Sequence, residues 1–521
     1  MAGAEISRNH AAQRLLARLA ALILLAAASA ATAADKVFTY ALEGAPESLD
    51  FAKTSTERAI RVAWLLCDAL VNVSKDGQSL EPGLAESWKF SADGLSAVMK
   101  LRPGVLFHDG TPLDAAAVKA SIERQFRPSH PLYTAEPSNV QAQVLAELVQ
   151  DVQVVDARTL TLKLKYPGLH YLSQSEIVSP TALRKLGKDF GRNPVCSGPF
   201  KFESWTKEQI VLVANDQYWA GRPQIDRVVF RFIAEGKAVV DSLLKGEVDF
   251  VARLPDPVWF ERLRESPRIK SVPFPGLNLY YLGFYTERPP FNNAIVRRAV
   301  AQAINAPRAA LFLGRGVAVP AKGSLPPGVR GYDPEVSQGP YDPQAAKELL
   351  NKSGPTVLPT VRVVHNSALT FTAEIAGAIQ SDLRRIGIQV ELLGKPGWPE
   401  VVAAVRKREG DMFLYSWNVR APYPERFLLP LFHSRSAGTT NLMHYRSPGL
   451  DKILDEALRM PEGPAQNRML SQAQRMIVED APMVFLYHAI RVAAYADRVQ
   501  GLELNLGLLP HDKLVKVDLA R

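Results

Sequence analysis

Between Ile375 and Leu392 the hydrophobic period changes within one short stretch of chain. Ile375, Ile379, Leu383 and Ile386 recur at helical spacing, Gly387 interrupts, and Ile388, Val390 and Leu392 then alternate as in a half-buried strand. A helix that stops at a glycine and feeds a strand is a building unit of α/β folds, because glycine reaches the left-handed backbone that closes a helix. The same two periods recur along the chain. Phe38, Tyr40 and Leu42 alternate, and Val228 to Ile233 and Met412 to Tyr415 are apolar, strand-forming runs. Helical spacing is plain at Ile295, Ala299, Val300, Ala303 and Ile304, at Leu450, Ile453, Leu454, Ala457 and Leu458, and at Met469, Leu470, Ala473, Met476 and Ile477. The fold class is therefore α/β, with no repeat at solenoid periods. Proline- and glycine-rich stretches at 320–334 and 355–359 predict loops around a boundary between subdomains.

The N-terminus predicts export. Arg8, Arg14 and Arg18 precede an apolar run from Leu19 to Ala28, and Ala31, Thr32 and Ala33 supply the small residues of a cleavage step. The run is shorter than the roughly 20 apolar residues that a membrane span takes. Cleavage after Ala33 is the expectation, and with no cysteine following the apolar core the mature chain is expected to be free in the periplasm. At 47% hydrophobic and 22% charged it reads as an ordinary globular protein.

The net charge of +9 raises the question of nucleic acid, but the charges do not cluster. Arg384-Arg385 and Arg406-Lys407-Arg408 lie beside apolar helical positions and near Asp382 and Glu409, as solvated helix faces do, so no nucleic-acid partner is expected. The two cysteines, Cys67 and Cys196, exclude a disulfide-rich scaffold. In an oxidising compartment a bond between them and a pair of buried thiols both remain open.

Catalytic signatures are missing. There is no G-x-S-x-G elbow, no H-E-x-x-H helix and no G-x-x-x-x-G-K-[ST] loop, and Gly314-Arg315-Gly316 has Val319 where a dinucleotide turn needs its third glycine. His108 precedes the turn pair Asp109-Gly110, and Asp114 is placed to cap the helix through Val118 and Ile122. His433 and His444 are the one regional histidine pair, and they lack acidic or thiolate companions at ligand spacing. These observations predict no catalysis, no cofactor and no metal site.

An ordered series of segments resembles solute-binding protein family 5, the peptide, dipeptide and nickel receptors of ABC importers. Gly83-Leu84-Ala85-Glu86-Ser87-Trp88 leads into Leu101-Arg102-Pro103-Gly104-Val105 and Phe107-His108-Asp109-Gly110-Thr111-Pro112. Ser197-Gly198-Pro199-Phe200, Asn215-Asp216-Gln217-Tyr218-Trp219 and Lys245-Gly246-Glu247-Val248-Asp249 follow. Then come Pro289-Pro290-Phe291-Asn292, Val296-Arg297-Arg298-Ala299, Tyr341-Asp342-Pro343 and Glu479-Asp480-Ala481-Pro482. The resemblance implies a two-lobed periplasmic-binding-protein fold of type II with a ligand cleft at a hinge. The first lobe would comprise 34–68, 179–273 and 485–521, the inserted subdomain 69–178 and the second lobe 274–484, after a signal segment 1–33. It also implies a small-molecule ligand, permease subunits of an ABC transporter as partners, and a monomer.

The resemblance implies a ligand site as well. The stretch from Tyr415 to Pro424 matches the segment in which peptide-binding relatives carry a tryptophan and an aspartate for the peptide's amino group. Trp417 fits the tryptophan, Asn418 follows it, and Arg420 stands where the aspartate would be. An arginine repels an ammonium group and suits a carboxylate or phosphate through its planar fork; its competing role is to pair with a protein acid such as Glu425. Trp398, Tyr280, Tyr281 and Asn366 are further candidates in the second lobe, and Thr54, Ser55 and Thr56 in the first. The expected cargo is a small polar or anionic solute, for example a modified peptide or amino-acid conjugate. The alternatives are a conventional di- or oligopeptide receptor, a sensing receptor of the same fold, and a secreted hydrolase.

Overall fold

The computed structural model describes residues 35–54, 56–77, 79–133, 139–234, 236–252, 258–313, 316–354, 358–419, 422–505 and 509–520. The proposed signal segment 1–33, Ser55 and Arg420 lie outside the described residues.

After β1 (Val37–Leu42), the chain forms a short hairpin, β2 (Val71–Val73) and β3 (Leu80–Pro82), and four further strands, β4 (Ala85–Phe90), β5 (Ser96–Leu101), β6 (Val149–Asp156) and β7 (Thr159–Leu164). It continues through β8 (Phe200–Trp205), β9 (Gln209–Ala214), β10 (Arg227–Phe232), β11 (Phe250–Val251), β12 (Ile269–Pro275) and β13 (Asn278–Phe284). Last come β14 (Ala318–Pro320), β15 (Val361–Asn366), β16 (Val390–Lys395), β17 (Met412–Asn418) and the long β18 (Met483–Ala496).

One large sheet runs through both lobes in the order β16-β15-β17-β13-β18-β11-β1-β10-β9-β8, with β12 and β14 also on β18. The parallel pairs β1–β10, β1–β11, β15–β16 and β15–β17 need crossover connections, and helices supply them. Separate apolar cores follow: one around Phe38, Tyr40, Phe200 and Phe230 in the first lobe, others around Phe413, Phe427 and Phe485 and around Phe284, Val300 and Ile379 in the second.

The lobes are joined where β18 crosses from one to the other. Its second half pairs with β12 from Ile490 to Ala496, and its first half pairs with β13 from Met483 to Tyr487. At the crossing, Gly276 and Leu277 break the companion strand, and the Asn278 side chain takes over the pairing. Its amide donates to Ala489 O at 3.1 Å and its oxygen accepts from Ala489 N at 2.7 Å. A side chain at Gly276 has no room, since a Cβ there would sit 1.9 Å from Ala489 O.

The sheet β4-β5-β7-β6 forms an inserted subdomain with its own core of Leu101, Val118, Leu145 and Leu162. Its root is tied twice. Cys67 and Cys196 are disulfide-bonded, with Cα atoms 4.8 Å apart. Beside them the buried Asp68 carboxylate accepts from Lys513 Nζ (2.6 Å), Trp219 Nε1 (2.9 Å), the Tyr218 hydroxyl (3.1 Å) and Ser197 Oγ (3.3 Å).

The predicted helices form over Ala294–Ala303, Pro448–Arg459 and Pro464–Asp480, and Asp114 caps Ala115–Glu123 through Ala117 N. One boundary differs. The strand expected to start at Ile388 starts at Val390, because Ile388 N donates back to Leu383 O and Gly387 N to Arg384 O, closing the helix Thr370–Arg385. The loop at 321–334 lies within the second lobe, where it brings Arg330 against Glu462.

Candidate ligand pocket

The parallel strand β15 ends at Asn366, but its neighbour β17 does not end with it. The two pair only at Val363–Met412 and Val364–Phe413, and β17 runs on to Asn418 beside β13. Past Asn366 the sheet therefore has a gap, with the starts of the helices Thr370–Arg385 and Trp398–Arg406 on either side. Ligands in open α/β sheets bind beyond the carboxyl ends of parallel strands for this reason.

A pocket of about 350 Å³, solvent at its mouth included, occupies the gap. Five aromatic side chains dominate its lining: Tyr280, Tyr281, Trp398, Tyr415 and Tyr487. Four of them form two pairs. Tyr280 stacks on Tyr487 with ring centroids 4.5 Å apart, and Trp398 packs on Tyr415 at 4.7 Å. Asn366, Thr372, Ile375, Leu414 and Leu486 complete the wall. Asn366 is itself held, its side-chain oxygen accepting from Ala368 N at 3.0 Å and its backbone oxygen accepting from the Thr372 hydroxyl.

No charged side chain is among these lining residues. Burial pushes the phenols of Tyr281, Tyr415 and Tyr487 above the ordinary tyrosine value, so each is a neutral hydroxyl at pH 7. The hydroxyls of Tyr281 and Tyr487 are buried and make no hydrogen bond among the described residues. An unmet buried hydroxyl costs free energy. A guest offering an acceptor would recover it. The lining suits grip rather than catalysis: it has aromatic faces, one amide and hydroxyls, and no acid–base pair.

Of the candidates named from sequence, Tyr280, Tyr281, Asn366 and Trp398 meet in this pocket. Trp417 and Asn418 do not line it. The Trp417 indole is half-buried against the core and donates to Arg426 O at 2.7 Å, and Asn418 is exposed at the end of β17, its amide donating to Ser416 Oγ at 3.3 Å. Thr54 and Thr56 are occupied locally. Thr56 Oγ1 caps the helix Glu57–Leu66 by accepting from Ala59 N and donates to Glu47, while Thr54 Oγ1 accepts from Thr56 N. Arg420 and Ser55 lie outside the described residues, and Glu425, the acid weighed as a partner for Arg420, has His170 as its hydrogen-bonded partner.

Tyr415 and Tyr487 went unnamed as candidates. Tyr415 carried a signal, since it opens the stretch from Tyr415 to Pro424 that the resemblance singles out; the structure sets it opposite Tyr281 across β13 and β17. Tyr487 carried none, because an aromatic within a continuous apolar run reads as core. His433 and His444 are separate: His433 lies against Asp451 and Asp455, His444 against Arg408. No cluster of metal-ligating side chains occurs among the described residues. No helix among them is long and apolar enough to cross a membrane.

Residues 79–439 match the model of the bacterial extracellular solute-binding proteins, family 5. The chain is 30% identical over 517 residues to di/tripeptide-binding protein 2 of Pseudomonas aeruginosa, covering 94% of this chain and 96% of that protein. It is 28% identical over 456 residues to haem-binding protein A of Haemophilus influenzae, covering 83% of each. Among solved structures, HbpA2 from Haemophilus parasuis superposes with a TM-score of 0.85 at 24% identity, over 93% of this chain and all of that one. The two-lobed frame, the gap in its second-lobe sheet and these matches agree: the chain belongs to family 5 of the bacterial extracellular solute-binding proteins.

Proposed function

We propose that this receptor serves an ABC importer from the periplasm, closing its lobes on a small solute with a planar, largely apolar part and an anionic group. The family supports the importer role, and its members are binding proteins. The family does not decide the cargo, since relatives of similar identity are named for haem and for di- and tripeptides. The observation that carries the cargo reading is the aromatic, uncharged pocket with two hydroxyls awaiting an acceptor. Stacked rings with uncharged walls favour a conjugated or aromatic moiety over an aliphatic chain. Arg420, two residues past the end of β17, supplies the anion's partner in this reading. Ligand touching both lobes is bound more tightly closed than open, and that difference signals the loaded state to the permease.

Native mass spectrometry of protein purified without denaturation tests the cargo. The expected species is a retained small molecule with a conjugated ring and an acidic group, lost or weakened about 10- to 100-fold in Arg420→Ala. A retained aliphatic peptide with a free amino group overturns the cargo reading and leaves the importer role standing.

A further inference from the structure

The short 3-10 helix Leu169–Gln174 of the inserted subdomain presses against the second lobe. Its His170 is buried, and its ring lies 4.1 Å from that of Tyr423 and 4.4 Å from that of Tyr171, centroid to centroid. Each ring nitrogen faces a different carboxylate. Nε2 is 2.8 Å from Glu425 Oε1, and Nδ1 is 2.8 Å from Glu462 Oε1. Both acids come from the second lobe. So does Tyr423, whose hydroxyl donates to His170 O at 3.2 Å and whose ring joins the inserted subdomain's own core.

Two acceptor oxygens at hydrogen-bond distance from the two ring nitrogens require two N–H groups. A neutral imidazole has one, and its other nitrogen would present a lone pair to a carboxylate. We propose that His170 takes up a proton when the second lobe docks on the inserted subdomain, so that lobe docking is coupled to proton binding at this histidine. The coupling does not depend on cargo. It goes beyond the pocket, because the latch joins the lobes whether or not the pocket is filled.

The surroundings agree with this. Burial alone would pull the His170 pKa down, but the charges and hydrogen bonds of Glu425 and Glu462 outweigh it and raise the pKa above the ordinary histidine value. Burial would raise both glutamates, yet His170 and Arg330 hold them well below the usual carboxylate range. The other groups facing the cluster are Arg330, paired with Glu462; Arg426, whose guanidinium lies 4.9 Å over the Tyr171 ring; and the phenols of Tyr171, Tyr423 and Tyr166, which burial raises. The sign follows. The imidazolium's contribution is complete below about pH 6.5 and is lost as pH rises through the raised pKa. The carboxylates' contribution is complete above about pH 4.5 and is lost as pH falls below it. Docking is tightest in between.

Histidine-selective ¹³C NMR on cargo-free protein, with small-angle scattering on the same samples, tests this. The His170 resonance is identified by its loss in His170→Gln. Its midpoint is expected above that of an ordinary histidine, because Glu425 and Glu462 hold the proton on the ring, and lower in Glu462→Gln than in wild type. Wild type should expand as pH rises through that midpoint, whereas His170→Gln should hold one radius of gyration from pH 5.5 to 8.5. Should His170→Gln fail to fold, the one resonance that moves in Glu462→Gln makes the assignment, and expansion should then follow the shifted midpoint. A His170 midpoint at or below the ordinary value, or an expansion that ignores the midpoint, overturns the proposal.

Discussion

Asp68 shows what a single buried charge organises. Lys513 comes from near the C-terminus, Ser197 from after the insertion, and Tyr218 and Trp219 from beyond β9, yet all four donate to this one carboxylate. Removing the cation leaves a buried charge without its counter-ion, so Lys513→Met should cost about 3–5 kcal/mol in denaturant unfolding. The pocket phenols predict the opposite sign. Tyr281→Phe and Tyr487→Phe delete buried hydroxyls that none of the described groups satisfies, so the empty protein should keep or gain stability, by up to about 1 kcal/mol, while retaining its cargo less well. Scanning calorimetry beside retention measurements separates the two effects; a clear loss of stability in the empty Phe variants would show that the hydroxyls already have partners. How far these residues could be read in advance varied. Ser197, Tyr218 and Trp219 were legible as motif members, but their common partner was not, because it lies about 130–150 positions away in sequence.

Among the elements, β18 and its companion decide how the lobes are joined. The strand is a near-continuous apolar run from Met483 to Ala496, and nothing in its periodicity marks the place where it leaves one lobe for the other. The crossing is marked instead on its partner, by Gly276 and by the Asn278 side chain standing in for backbone. Gly276→Ala should therefore destabilise the protein by about 1–3 kcal/mol, read from the shift of the denaturant midpoint, because the added methyl meets Ala489 O. His488, next along β18, is fully packed and donates from Nδ1 to Asn278 O at 2.6 Å, and burial lowers its pKa to about 4. The unfolded chain binds a proton at this histidine below about pH 6.5 and the folded chain does not until about 4, so this group weakens the fold progressively across that interval. His488→Gln should flatten that part of a stability–pH curve. Helices and strands were legible wherever one period persisted; the Ile388 boundary was not, because a hydrogen bond back into the helix outranks the alternation that follows.

For the whole molecule, acid acts in two directions. Protonation favours docking at His170 and opposes folding at His488, so global melting does not report the latch, and a measure of shape does. The two-lobed α/β frame was readable from sequence because ordered segments carry it. The contacts between lobes were not, since His170 and Glu425 stand 255 positions apart and neither has a local pattern. The Cys67–Cys196 bond spans 129 positions and closes a loop around the entire inserted subdomain. Loops of that length are stabilised by about 4–5 kcal/mol in the chain-entropy account, which paired unfolding curves with and without reductant would measure. The bond also makes the insertion a closed ring hanging from the main chain. A protease that cuts anywhere within it produces a nick and not a fragment: the two pieces travel as one band until the sulfurs are reduced, and a receptor damaged there in an oxidising compartment stays whole.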